Sequence, residues 1–405
     1  MSETAAGPLP PPSRELSCKA AIIGVGDTDY HLDYKAARAR APGYEPPSPE
    51  GLAKTAFERA LADSGLQRDE IDGLSISFIY GGPSAPDMAR HLGLAPRYVA
   101  DAAGIMAGPL QTVCAAIASG KADTVAMVYA ASSRAIGRQY GGRTYTGGGA
   151  PASYYYYHPW GWSSQAAHWA LVWQYYQNTY GAREEDLGAV AVQLRKNAAL
   201  NPNAVMQAPL SIADYLQSRY IVRPLHLFDM CLVNDGAVCL IIRRADRTGG
   251  LSQPPVLVAG WGESKVTGNK LDHLVRQRLR PTLHEAGRQA LDMAGVALSG
   301  IQHFEGYDAS TMHLISQLEG YGFAEPGGGL AFCKSGGMAV GGTLPVNTAG
   351  GMLSESYMHG WNHVAEITRQ LRHQAGKRQI KDVEVSMFSM AQTDAAHPVI
   401  FRRGA

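Results

Sequence analysis

Two stretches of this chain, 230 residues apart, read as one phrase: ALADSGLQRDEI from Ala60 to Ile71, and ALDMAGVALSGI from Ala290 to Ile301. Ala60, Leu61, Gly65 and Ile71 align with Ala290, Leu291, Gly295 and Ile301 at a single offset (290 − 60 = 301 − 71 = 230). An apolar run ending near glycine precedes each copy, KAAIIGVG at Lys19–Gly26 and PPVLVAGWG at Pro254–Gly262, and another apolar segment follows each. A strand–helix–strand order that occurs twice points to two copies of one α/β unit. The boundaries expected are a disordered Pro-rich tail at 1–17, a first half at 18–250 and a second half at 251–405.

Taken in order, Lys19–Gly26 predicts a buried strand, and residues 30–48 a polar surface excursion. A helix follows, with Ser48 as its cap and Pro49 in its first turn; Leu52, Ala56, Ala60 and Leu61 share one face and Gly65 ends it. Ile71–Ile79 reads as the next strand, Pro109–Ala118 as an apolar helix, and Ala122–Ala131 as a strand covered on both faces. A long excursion at about 132–165 is rich in Gly and Tyr and holds Tyr157, His158 and Trp160. Loops of that length inside a compact domain carry function; its aromatics suit either an apolar substrate wall or a subunit interface. Asp235-Gly236-Ala237 marks a turn or bulge within a strand, and Met338–Leu344 reads as an apolar strand.

With 45% hydrophobic and 18% charged residues and a net charge of +1, the chain has no electrostatic footprint for nucleic acid. No apolar run is long enough to span a membrane. Five scattered cysteines, with no CxxC pair and no histidines at metal-ligand spacing, suit a reducing cytoplasm and predict no bound metal.

The stretch PVNTAGGMLSESYMHGWNHV (Pro345–Val364) carries the strongest site signal. Gly350 and Gly351 form a turn into a segment with Tyr357, Trp361 and Val364 at helical spacing. Such a turn lets backbone amides face a ligand, with Ser354 or Ser356 as caps and Tyr357 in the first helical turn. His313, His359 and His363 read as surface or packing histidines.

YDAST at Tyr307–Thr311, GYGFAEPGGG at Gly320–Gly329, DGA at Asp235–Ala237 and LPVNTAGG at Leu344–Gly351, on two α/β halves, resemble the thiolase superfamily. Within it the chain is similar to the sterol-carrier-protein-type thiolases and to their lipid-transfer-protein aldolase relatives. The resemblance implies a thiolase-like α/β fold, two duplicated halves in five αβαβα layers. It also locates what is missing. The nucleophilic cysteine of thiolases falls in AAGIMAG (Ala102–Gly108), near Gly104, where there is no Cys, Ser or Thr. Cys114 lies too far into the following helix, and Phe388–Asp394 holds no second cysteine. Tyr307 and Tyr357 stand where the thiolases have histidines, and the aldolase branch has catalytic tyrosines at both places.

By that likeness Tyr307 and Tyr357 are an acid/base pair, with Asp308 as orienting neighbour. Gly350, Gly351 and Gly104 are the backbone oxyanion donors, and the Gly350–Gly351 turn is the expected means of lowering one phenol. Tyr157, His158, Trp160 and Asn347 are the expected substrate contacts. The implied activity is retro-aldol cleavage of a β-hydroxyacyl-coenzyme A with a bulky apolar group. The chain itself needs no cofactor, forms a homodimer and works with a small OB-fold partner whose ribbon binds zinc. The alternatives are a β-ketoacyl-CoA thiolase or acyltransferase, and a non-catalytic acyl-CoA or lipid carrier.

Overall fold

The computed structural model describes residues 12–102, 104–138, 140, 158–265, 279–391 and 395–404. The duplication seen in the sequence recurs in the backbone at the same spacing. Helix Pro49–Ser64 matches helix Leu279–Ala294 (279 − 49 = 294 − 64 = 230), and each ends at a left-handed glycine, Gly65 and Gly295. As expected, Ser48 caps the first of these through its Oγ, which accepts from Gly51 N.

The strands are β1 (Ala20–Asp27), β2 (Gly73–Ser77), β3 (Tyr98–Asp101), β4 (Thr124–Ser132), β5 (Tyr220–Val222), β6 (Leu225–His226), β7 (Asp235–Arg244), β8 (Val256–Trp261), β9 (Ser264–Lys265), β10 (His303–Gly306), β11 (Val385–Ala391) and β12 (Ala395–Arg403). Except for the β5–β6 hairpin they form one sheet in the order β10-β11-β12-β8-β1-β7-β4-β2-β3, with β9 beside β12. Each half repeats one pattern. β2–β4 is parallel while β4–β7 and β7–β1 are antiparallel; β10–β11 is parallel while β11–β12 and β12–β8 are antiparallel. The halves meet where β1 pairs with β8, at Ala21↔Leu257 and Ile22↔Val256.

Alternation along the strands sorts their side chains into layers. On β7, Val238, Leu240 and Ile242 join a central core with helices Ala107–Ala118 and Trp361–Leu371, while Ala237, Cys239 and Ile241 face helix Pro49–Ser64. On β12, Val399 and Phe401 join the same central core, and Ala396 and Ile400 face helix Leu279–Ala294. Helix, the first half's strands, central helix pair, the second half's strands, helix: these are the five layers, the two sets of strands being joined into one sheet by the β1–β8 pairing. β4 is buried throughout, as its unbroken apolar run predicts.

The glycines ending β1 and β8 explain why the repeat is spelled as it is. A Cβ on Gly26 would lie 2.3 Å from Ala56 O, and one on Gly262 1.9 Å from Ala286 O. Backbone against backbone leaves no room for any side chain at either place.

Four expectations need correction. The excursion at 30–48 contains a helix, Tyr30–Ala39, anchored by buried Tyr30. Asp235 opens β7, opposite Ser132, rather than interrupting a strand. Met338–Leu344 is a run of turns, because the chain doubles back so tightly that a Cβ on Gly342 would lie 2.3 Å from Gly337 O; only a bridge between Val346 and Phe304 remains of the expected strand. Phe323–Gly337, whose glycines predict a connection without regular structure, holds a short helix, Gly329–Lys334.

Gly262→Ala is expected to cost about 1–3 kcal/mol by overpacking, read as a lower urea midpoint. Gly249→Ala, where an added Cβ meets nothing within 4 Å, is the control and leaves the midpoint unchanged.

Candidate active site

The site is built where β10 runs out. Asn347, left-handed at φ 46°, acts as a substitute neighbouring strand: its Oδ1 accepts from Gly306 N at 2.7 Å and its Nδ2 donates to Gly306 O at 2.9 Å. Both ends of that amide are spent on backbone, so Asn347 holds the strand end. Tyr307 follows, its N–H donated to Ser389 O (2.9 Å) and its carbonyl receiving Gln317 Nε2 (2.7 Å).

Asp308 turns inward, completely buried. Its carboxylate accepts from Met352 N at 2.8 Å and Leu353 N at 3.3 Å. Gly351, at φ 59°, is what admits it: a Cβ there would sit 2.2 Å from Asp308 Oδ2. The anion cradled by this turn is therefore the protein's own. Gly350 N is likewise spent, on Asn347 O at 2.9 Å. Gly104 is tied to Ser77: its carbonyl accepts from Ser77 Oγ at 2.9 Å and its N–H donates to the same oxygen at 3.4 Å.

Tyr357 is outside the helix that its spacing predicts. That helix starts at Trp361, after Gly360 at φ 87°, and Tyr357 occupies the loop before it, its N–H donated to Asn234 Oδ1 at 2.7 Å. Neither serine caps. Ser354 Oγ accepts from Arg195 Nε and Ser356 Oγ from Asn234 Nδ2. The loop brings the two phenols together, Tyr307 Oη and Tyr357 Oη lying 3.2 Å apart.

His359 was read as packing or surface, and the structure corrects this. Its Nε2 lies 2.9 Å from Tyr357 Oη and 3.1 Å from Tyr80 Oη, and its Nδ1 lies 2.7 Å from Tyr129 Oη. Helical spacing would point residues 357 and 359 apart; a left-handed φ of 48° at His359 folds the ring back instead. Burial pushes both Tyr307 and Tyr357 above the ordinary phenol value, so the glycine turn does not lower either one. Burial pulls His359 down to about 3, leaving a neutral imidazole.

His363 is no packing residue either. It sits between Glu305 Oε2 (2.6 Å) and Asp308 Oδ1 (3.1 Å). Burial alone would lower its pKa, but the hydrogen bonds and charges of these carboxylates outweigh that and hold it at about 10. Glu305, which also accepts from His303, is held at about 2 despite burial. His313 packs, stacked on Trp169 with ring centres 4.1 Å apart.

The five cysteines are unpaired. Cys114 is buried mid-helix, and burial pushes its thiol up to about 12. Cys231 packs against the same core as Tyr307 and Tyr357, and burial pushes its thiol up to about 12 as well. Of the expected aromatic contacts, Tyr157 lies outside the described residues, His158 opens a short 3₁₀ turn, and Trp160 is 86% exposed to solvent. Among the described residues no group of His, Cys, Asp and Glu is arranged to hold a metal, and no helix is long and apolar enough to cross a membrane.

Residues 272–397 match the family described as thiolase C-terminal domain-like. The chain is 33% identical to the steroid side-chain-cleaving aldolase of Thermomonospora curvata, over 87% of this chain and 90% of that one. It is 34% identical to the 17-hydroxy-3-oxo-4-pregnene-20-carboxyl-CoA lyase of Mycobacterium tuberculosis, over 88% and 92%. The solved structure of an Ltp2-ChsH2(DUF35) aldolase superposes with a TM-score of 0.83 at 30% identity, over 96% of this chain and 98% of that one. The chain belongs to the thiolase superfamily, in the branch that joins sterol-carrier-protein-type thiolases to lipid-transfer-protein aldolases.

The proton held on His363 favours the folded state. Its contribution is whole below the ordinary value of 6.5 and goes as pH rises through about 10. The thermal midpoint is therefore expected to fall between those values, and His363→Gln to flatten that part of the curve.

Proposed function

We propose that the protein is a carbon–carbon lyase that cleaves β-hydroxyacyl-CoA thioesters by a retro-aldol reaction, with Tyr307 and Tyr357 as the acid/base pair. The observation that carries this is two phenol oxygens 3.2 Å apart, at positions where thiolases use histidines, with no thiol at the nucleophile position beside Gly104. Thiolysis needs a thiolate to carry the acyl group, and burial holds Cys114 and Cys231 as thiols.

The chemistry balances without a covalent intermediate. The β-hydroxyl proton passes to Tyr357 as the Cα–Cβ bond breaks, giving a ketone or aldehyde and a thioester enolate. Tyr307 protonates the enolate carbon, and the proton that Tyr357 gained replaces the one Tyr307 lost across their contact. Neither phenol is ionised beforehand, so proton transfer and bond breaking are concerted. Gly351 and Gly104 are the proposed donors to the enolate oxygen; the Gly104 N–H makes only a long 3.4 Å contact with Ser77 Oγ. Gly350 drops out of that role because its N–H is spent on Asn347 O at 2.9 Å.

The substrate is a coenzyme A thioester with a bulky apolar acyl group, by similarity to the steroid-cleaving relatives; Tyr157, His158 and Trp160 are proposed to contact it. The solved relative is an aldolase paired with a DUF35 protein, which supports a small OB-fold, zinc-ribbon partner for this chain. We propose a cytoplasmic homodimer bound to that partner.

Incubating the chain, co-expressed with the partner, with a panel of β-hydroxyacyl-CoAs is expected to release a ketone or aldehyde and a shortened acyl-CoA, detected by mass spectrometry. Tyr307→Phe and Tyr357→Phe are each expected to lower kcat by about 100-fold or more, with iodoacetamide having little effect. Loss of turnover through an alkylated cysteine would favour the thiolase reading, and no turnover with any thioester would favour a carrier.

A further inference from the structure

Tyr129 is completely buried on β4, and among the described residues the partner of its hydroxyl is His359 Nδ1, at 2.7 Å. A buried O–H that donates to nothing costs more than an oxygen that accepts nothing. Tyr129 is therefore the donor and Nδ1 the acceptor. A neutral imidazole carries one N–H, so the proton is on Nε2, the atom 2.9 Å from Tyr357 Oη and 3.1 Å from Tyr80 Oη.

We propose that His359 is a positioning residue, set by Tyr129, that donates Nε2–H to Tyr357 Oη and so fixes the direction in which protons pass between the two tyrosines. With one lone pair of Tyr357 filled by the imidazole, its own O–H is directed to Tyr307 Oη, 3.2 Å away, and its second lone pair is left for the substrate hydroxyl. The wire then runs one way: substrate O–H to Tyr357, Tyr357 O–H to Tyr307, Tyr307 O–H to the enolate carbon. One proton enters and one leaves, and His359 keeps its own throughout while its N–H stabilises negative charge developing on Tyr357. Two features support a built device. The backbone of His359 is held at a left-handed φ of 48° that glycine adopts more readily, and its carbonyl receives Met106 N from the loop beside Gly104. Burial also keeps the ring neutral, which this role requires.

The proposal rests on the tyrosine pair as the acid/base groups, and its test separates the two. In the full chain labelled with ¹⁵N-histidine, nitrogen chemical shifts identify the tautomer of His359, assigned by its loss in His359→Leu. The Nε2–H form is expected, and the Nδ1–H form overturns the proposal without any activity measurement. In turnover, His359→Leu is expected to lower kcat about 100-fold with little change in KM, as for loss of one preorganised donor, and His359→Gln, which restores an N–H, to recover about 10-fold. Tyr129→Phe, measured at a temperature where it remains folded, is expected to lower kcat and release the tautomer. If Tyr357→Phe abolishes turnover while His359→Leu stays within about threefold of the parent, the relay is wrong and the tyrosine reading stands. If Tyr357→Phe keeps turnover, the tyrosine reading itself falls.

Discussion

The arrangement depends on one buried anion. Asp308 carries its charge into the protein interior, where an unpaired carboxylate is prohibitively costly. It is tolerated because two backbone N–H groups and the His363 imidazolium surround it. The same contacts tie together two pieces of chain that the sequence separates by more than forty residues: the end of β10, which presents Tyr307, and the turn at Gly351, which leads to Tyr357. Glu305 fixes the far side of His363. The phenols meet because this charged staple leaves the backbone nowhere else to go.

Seen this way, the glycines of the turn have a different purpose from the one their pattern suggests. A Gly-Gly turn entering a helix reads as a cradle for a ligand's negative charge, and the cradle is real, but its occupant is internal. The duplicated scaffold also divides labour unevenly. The second half supplies both phenols, Asp308 and the histidines. The first supplies Tyr129, Tyr80 and the loop at Gly104, where Met106 donates its N–H to the His359 carbonyl. The site is closed by hydrogen bonds between the tyrosine hydroxyls and the His359 ring.

Much of the fold was legible in the sequence. The offset repeat located both outer helices and their left-handed glycine ends, and apolar runs located β1, β4 and β8. Gly-rich segments are less readable, because glycine permits a turn or a helix start equally: the apolar run Met338–Leu344 predicts a strand where the chain makes turns, and nothing in the pattern marks helix Gly329–Lys334. Tyr307, Tyr357 and Asp308 could be picked out only through likeness to a family. His359 was missed for a physical reason: helical periodicity places 357 and 359 on different faces, and a single left-handed residue cancels that rule. Cys231 comes near the tyrosines through tertiary contact alone, about which no local pattern carries information.

The central claim is that carbon–carbon cleavage proceeds here without any acyl group passing through the protein. Intact-mass spectrometry of enzyme quenched with acid during steady turnover tests it most directly. The account predicts the mass of the unmodified chain at every time point while ketone or aldehyde accumulates. An acyl-sized increase that maps to a cysteine and decays with turnover would contradict it.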